Sequence, residues 1–234
     1  MADKAIAVIT ARGGSKRIPK KNIKEFCGKP ILAYSIEAAL ASNIFDEVMV
    51  STDSEEIAEI ARRYGAKVPF LRSEKTSGDY ASTAEVLLEV LKEYEDRGEA
   101  FEYMSCIYPT APFITPKKLI DAFTLLREEK AVMAMPVVAF SYPPQRGYIC
   151  RDNRIEMKWK ENYTKRSQDL EPLYHDAGQF YIYRTDDFKR LKGLIMEGIV
   201  PIIVDELEVQ DIDNETDWKI AEMKYSLCTD NNKL

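Results

Sequence analysis

Two clusters of charged residues stand out in this 234-residue chain as able to do chemistry. The first follows a short apolar run, Ala5 to Ile9. Arg12, Lys16, Arg17, Lys20 and Lys21 fall within ten residues, around Gly13, Gly14 and Ser15, with no carboxylate among them. Glycines let backbone approach a ligand and turn N–H groups toward it. Five cations in such a loop call for a polyanion, and a phosphate chain at the carboxyl end of a first strand is the natural candidate. The spacing matches neither G-x-x-x-x-G-K-[ST] nor G-x-G-x-x-G. A solvated basic loop is the plainer alternative.

The second cluster is Asp211 and Asp213 in Val209-Gln-Asp-Ile-Asp-Asn214. On an extended segment, residues two apart point the same way. Two carboxylates with Ile212 turned inward suit Mg²⁺, which takes a few carboxylates together with phosphate oxygens. The alternative is a capped loop before a last helix, since Asp213 or Asn214 also serves as an N-cap.

The rest of the composition narrows the field. Net charge is −6 and pI near 5.1, which excludes a general nucleic-acid binder with a basic face. No apolar stretch of about 18 residues is present, so no membrane span is expected, and no leader is visible. Cys27, Cys106, Cys150 and Cys228 are scattered, as reduced thiols of a cytoplasmic protein would be. The single histidine, His175, cannot build a multi-histidine metal site.

Periodicity supplies the elements that must position these clusters. A strand at Ala5–Ile9, a helix over Pro30–Ala41, a strand over Glu47–Thr52, a helix over Asp53–Tyr64 and a third strand over Lys67–Leu71 form a βαβ pattern. A polar loop is expected over Ser73–Tyr80, then a helix over Ser82–Gly98. Strands over Tyr103–Tyr108, Ala131–Val138, Gly178–Arg184 and Val200–Val204 alternate with helices over Pro116–Lys130, Asp186–Lys192 and Asn214–Leu227. The segment from Gln145 to Pro172 breaks the rhythm, with a hairpin around Asp152-Asn153. The expectation is one α/β domain, 1–234, with a mostly parallel sheet and 141–172 inserted as an arm or lid.

The motif Ala11-Arg-Gly-Gly-Ser-Lys-Arg-Ile-Pro-Lys-Lys-Asn22 resembles the signature of the sugar-acid cytidylyltransferases, the CMP-N-acylneuraminate synthetase family. Val50-Ser-Thr-Asp53, Ser77-Gly-Asp-Tyr-Ala-Ser-Thr83, Tyr108-Pro-Thr-Ala-Pro112 and the Asp211/Asp213 motif match further elements in order, from about Ile6 to Lys224. The resemblance implies a Rossmann-like nucleotidyltransferase with a small dimerisation arm, working as a homodimer. It implies a reaction of CTP with a nine-carbon 2-keto sugar acid that releases pyrophosphate.

In that likeness Ala11, Arg12, Gly13, Gly14, Ser15, Lys21, Asn22, Asp79, Ser82 and Thr83 bind the nucleotide. Arg12 contacts the triphosphate, Lys21 offsets charge on the departing pyrophosphate, and Asp211 orients or deprotonates the sugar hydroxyl. Asp211 and Asp213 hold magnesium. The sugar half departs from the sialic acid pattern. This chain has His175-Asp-Ala-Gly-Gln-Phe-Tyr181 in place of R-P-N-G-A-I-Y, and Tyr108 in place of a glutamine. Those departures are similar to the pseudaminic acid branch, so Tyr108, His175, Asp176 and Gln179 are expected to face the sugar. Arg166 is expected to meet its carboxylate, with Arg146 or Lys165 as substitutes. Legionaminic acid, N-acetylneuraminate and 3-deoxy-manno-octulosonate are alternative substrates. A catalytically silent nucleotide-binding dimer is the alternative of another class.

Overall fold

The computed structural model describes residues 3–230. Its central sheet begins where the chain is most apolar. Strand β1 (Ala5–Thr10) is buried along almost its whole length and pairs in parallel with β4 (Glu47–Ser51) and β5 (Tyr103–Ile107). A strand buried on both faces reads as a continuous apolar run, as this one does. Between β1 and β4 lie a 3-10 turn (Lys21–Ile23), the two-residue ladder β2 (Glu25–Phe26) with β3 (Lys29–Pro30), and helix α1 (Ile31–Ser42). Helix α2 (Glu55–Arg63) follows β4, capped by Ser54.

The expected third strand at Lys67–Leu71 is not formed. Lys67 makes one parallel bridge to Met49, and the ladder stops there. Pro69 has no N–H to continue it. The polar loop contains one helical turn, α3 (Glu74–Ser77), tied down by Glu89, which accepts from Ser73 and Thr76. Helix α4 (Thr83–Glu95) opens with a capping box between Ser82 and Glu85. Helix α5 (Pro116–Glu128) leads into β6 (Met133–Ala139).

The sheet runs β11 (Ile199–Ile203), β6, β10 (Phe180–Arg184), β5, β1, β4, with β9 (Tyr174–Asp176) also on β6. Five strands point one way. β9 and β10 run against them, so the sheet is mixed and parallel-rich. Both lie on the same partner strand and are two halves of one path, broken at Ala177–Gln179. Gly178 sits there at φ +63°, a left-handed conformation that glycine adopts freely. Strand β9 was not apparent in the sequence because its three residues are exposed and polar.

Between β6 and β9 the chain leaves the sheet. It forms the hairpin β7 (Tyr148–Arg151) and β8 (Arg154–Met157), turned at Asp152 and Asn153, both with positive φ. Asparagine and aspartate tolerate that region better than most side chains. Helix α6 (Thr185–Leu191) follows β10, and α7 (Glu215–Asp230) ends the described chain. Phe26 is wholly buried. It meets Tyr34, Trp218 and Tyr225 edge-on at ring separations of 5.5–5.7 Å, and so packs α7 against the start of α1.

Candidate active site

The carboxyl ends of β1 and β5 open into a cleft of about 510 Å³. Ligands in open α/β sheets bind at such strand ends. Arg12, Ser15, Lys16, Arg17, Lys21 and Asn22 supply one wall. The loop is held by its own residues. Asn22 is buried and donates from Nδ2 to the Arg12 carbonyl at 2.8 Å. The Ala11 N–H donates to the Ser51 carbonyl, and Ala11 is buried. The Gly13 N–H donates to Asp53 at 2.7 Å, and a Cβ on Gly13 would come within 3.1 Å of Ser54.

Ala11 and Gly13 therefore hold the turn to β4 and do not aim N–H groups into the cleft, contrary to expectation. Gly14 lies outside the cleft lining, with open space where a Cβ would stand. Ser82 is spent on the helix cap, while its neighbour Thr83 reaches the cleft.

The opposite wall carries Asp79 and Asp213. Asp79 accepts from Arg12 at 2.7 Å and also from Lys16, and these two cations hold its carboxyl below the usual range, Lys16 most. Asp213 pairs with Arg17 at 2.8 Å. Lys21 reaches over to donate to the Ile212 carbonyl at 2.7 Å. Burial lowers the Lys21 ammonium from its ordinary 10.5, against the raising influence of Asp213 and Asp211. The cleft thus presents cations paired with carboxylates that a phosphate chain can displace. Arg72, missed in the sequence, also lines it. Its guanidinium donates to the Ser51 hydroxyl and carbonyl, and burial lowers it. An arginine in a loop after an unformed strand carries no local motif that would have revealed it.

A second cleft of about 530 Å³ adjoins the first. Tyr108 and Thr110 line both. His175, Asp176, Glu206, Asp211 and Lys224 supply its other charged or titratable side chains, with Ser141 and Gln210 beside them. His175 lies against Phe140, ring centroids 4.8 Å apart, and its Nδ1 meets the Asp176 carbonyl. Asp176 accepts from the Gly178 N–H at 2.7 Å and from the Tyr181 hydroxyl at 2.6 Å. Burial raises the Tyr108 phenol, whose ring meets that of Tyr181 edge-on at 5.7 Å.

Two expected sugar contacts are not in this cleft. Gln179 is 3% exposed and donates from Nε2 to the Glu208 carbonyl. The break at Gly178 turns it inward. Arg166 lies on the exposed arm and grips Asp169 through Nε and NH2 at 2.8 and 2.9 Å. It lines neither cleft, and neither do Arg146 and Lys165. Lys224, which does line the second cleft, was hidden in the pattern of the last helix.

Ile212 is buried, as its place between two aspartates requires. Asp213 faces the first cleft and Asp211 the second, on either side of the wall formed by Tyr108 and Thr110. Among the described residues no group of three or more His, Cys, Asp or Glu could hold a metal. Asp213 borders the cation-lined cleft and Asp211 the adjoining one, and two hard carboxylates at that shared wall fit a cation that completes its shell with phosphate oxygens and water. That is the habit of Mg²⁺ and not of Zn²⁺.

Comparison with known proteins agrees with the geometry. A family model described as cytidylyltransferase matches residues 6–192. The pseudaminic acid cytidylyltransferase of Campylobacter jejuni subsp. jejuni serotype O:2 is 38% identical over 225 residues, covering 96% of this chain and 97% of the relative. The CMP-N,N'-diacetyllegionaminic acid synthase of Legionella pneumophila is 33% identical, covering 95% of this chain and 96% of that one. A solved CMP:2-keto-3-deoxy-manno-octonic acid synthetase with CTP superposes with a TM-score of 0.69 at 19% identity, covering 97% and 99% of the two chains, and so shares the fold. With the basic loop, the strand-end cleft and the acidic pair in one place, the chain belongs to the cytidylyltransferase family.

Proposed function

We propose that this enzyme transfers CMP from CTP to pseudaminic acid, releasing pyrophosphate. The observation that carries the reading is the pair of clefts sharing Tyr108 and Thr110, one lined by cations, with Asp213 and Asp211 set to either side. CTP takes the first cleft and the sugar acid the second. The sugar's anomeric oxygen attacks the α-phosphorus and a new P–O bond forms. The bond to the β-phosphate oxygen breaks, and pyrophosphate leaves with its electron pair. Asp211, which lines the second cleft, takes the hydroxyl proton.

Arg12 and Lys16 exchange Asp79 for the triphosphate, and Lys21 faces the developing charge on the leaving group. Asp211 and Asp213 would hold Mg²⁺, which when bound neutralises phosphate charge. His175 and Asp176 meet the sugar. Residues 141–172 serve as the arm of a homodimer; Ile155 on its hairpin is 70% exposed, and Tyr148 and Ile149 are exposed beside it.

The similarity to pseudaminic acid enzymes supports the sugar assignment. The test is Mg²⁺-dependent pyrophosphate release with CTP, followed by mass detection of the CMP-sugar. Binding of CTP with no turnover on any nine-carbon acid would favour the silent nucleotide-binding protein instead.

A further inference from the structure

The stretch from Val209 to Asp213 carries both aspartates, yet it belongs to no strand or helix. It has no ladder to fix its register. Besides the Arg17 pair on Asp213 and the Asp213 N–H donating to Asp217, it is held by side chains donating to its carbonyls and to those just before it. Lys224 donates to Glu206 at 3.1 Å and to Val209 at 2.7 Å. Gln179 donates to Glu208, and Lys21 to Ile212. The Glu208 carboxylate is itself held by Lys118 at 3.2 Å, with both side chains nearly buried. Glu208 is therefore gripped at its carbonyl from β10's approach and at its carboxylate from α5.

Gln179 is the telling member. Its Oε1 is buried with no hydrogen-bond partner. An unpaired buried carbonyl costs stability, and an apolar side chain of the same shape would avoid the cost. What the amide adds is its N–H on the Glu208 carbonyl. Gln179 sits at the break between β9 and β10, whose own carbonyl accepts from the Tyr108 N–H. One residue thus fixes Tyr108, on the wall between the clefts, and Glu208, three residues before Asp211.

We propose that Gln179 and Lys224 are positioning residues for the acidic pair: they set where Asp211 and Asp213 stand relative to the two clefts, without contacting substrate through Gln179. This rests on the proposed function for its meaning, but not for its test. Outer groups that orient the carboxylates of a metal site change activity or metal affinity about 10–100-fold when lost.

Hydrogen exchange of peptides covering 206–213 and 5–10 is measured in Gln179→Met, Lys224→Met and Lys224→Arg. Steady-state kinetics with a Mg²⁺ titration are run in parallel. Expected are faster exchange in 206–213 alone and a kcat lowered about tenfold with a raised Mg²⁺ midpoint in both Met variants. The KM for the sugar acid should stay within about twofold in Gln179→Met, and Lys224→Arg should recover most of the loss. A raised sugar KM in Gln179→Met with unchanged exchange would overturn the proposal in favour of a substrate contact. Unchanged exchange and kcat in both Met variants would overturn it outright. Should the unsubstituted chain turn over no nine-carbon acid, the proposed function fails, while hydrogen exchange still decides the positioning.

Discussion

Lys21 donates to the carbonyl of Ile212 at 2.7 Å, across 191 positions of sequence. This contact joins the basic loop after the first strand to the acidic segment before the last helix, and it puts an ammonium beside both Asp211 and Asp213. Burial lowers that ammonium below its ordinary 10.5, so the unfolded chain binds the proton more tightly than the folded one. Stability attributable to Lys21 therefore rises with pH between its folded value and 10.5. Activity needs the charged form and runs the other way. The alkaline limb of kcat/KM should lie below 10.5, and Lys21→Arg should move it upward, because a guanidinium stays charged. A limb at the same pH in both proteins would show that another group governs it.

Loss of either acidic residue should be costly to chemistry and cheap to the fold. Asp211→Asn and Asp213→Asn are each expected to lower kcat about a hundredfold or more, in line with removal of a group that stabilises developing charge. Thermal midpoints should stay close to the parent, since neither carboxylate is buried and Ile212 keeps its place in the core. Calorimetry beside the pyrophosphate assay checks both halves. A double variant with full activity would remove the acidic pair from the site.

Asp79 pairs with Arg12 and Lys16, and in the proposed reaction it gives them up to the triphosphate. Exposed ion pairs are weak, so Asp79→Asn should lower the KM for CTP by only about two- to fivefold at low salt, and less as salt rises. A raised KM would instead make Asp79 a direct nucleotide contact.

Much of the fold was readable because the apolar runs and helix caps are local signals. Ala5–Ile9 and the Asp152-Asn153 turn each announce themselves within a few residues. The antiparallel course of β10 was not readable, since strand direction depends on the arm that precedes it. The basic loop and the acidic pair were legible as chemistry. Their meeting at Lys21 and Ile212 was implied only through resemblance. Gln179 and Arg166 line neither cleft, for opposite reasons. A polar residue at a strand break reads as exposed, but Gly178 turns it inward. An arginine in a loop reads as free, but Asp169 three residues on claims it. Arg72 and Lys224 act over long sequence separations, where no spacing rule applies.

The last helix should depend on one aromatic. Phe26→Ala empties the centre of the cluster with Tyr34, Trp218 and Tyr225, and should cost about 3–5 kcal/mol. Denaturant unfolding followed by Trp218 fluorescence measures it. The helix carries Lys224, so activity should fall further than the folded fraction alone explains.

The most direct test of the account is pyrophosphate release with CTP and Mg²⁺, with pseudaminic, legionaminic and N-acetylneuraminic acids compared side by side. Strong turnover with pseudaminic acid and little with the other two is expected, because Tyr108, His175 and Asp176 line the second cleft, where the proposed reaction seats the sugar. Preference for N-acetylneuraminate would contradict the sugar assignment, and no release with any of them would contradict the proposed reaction itself.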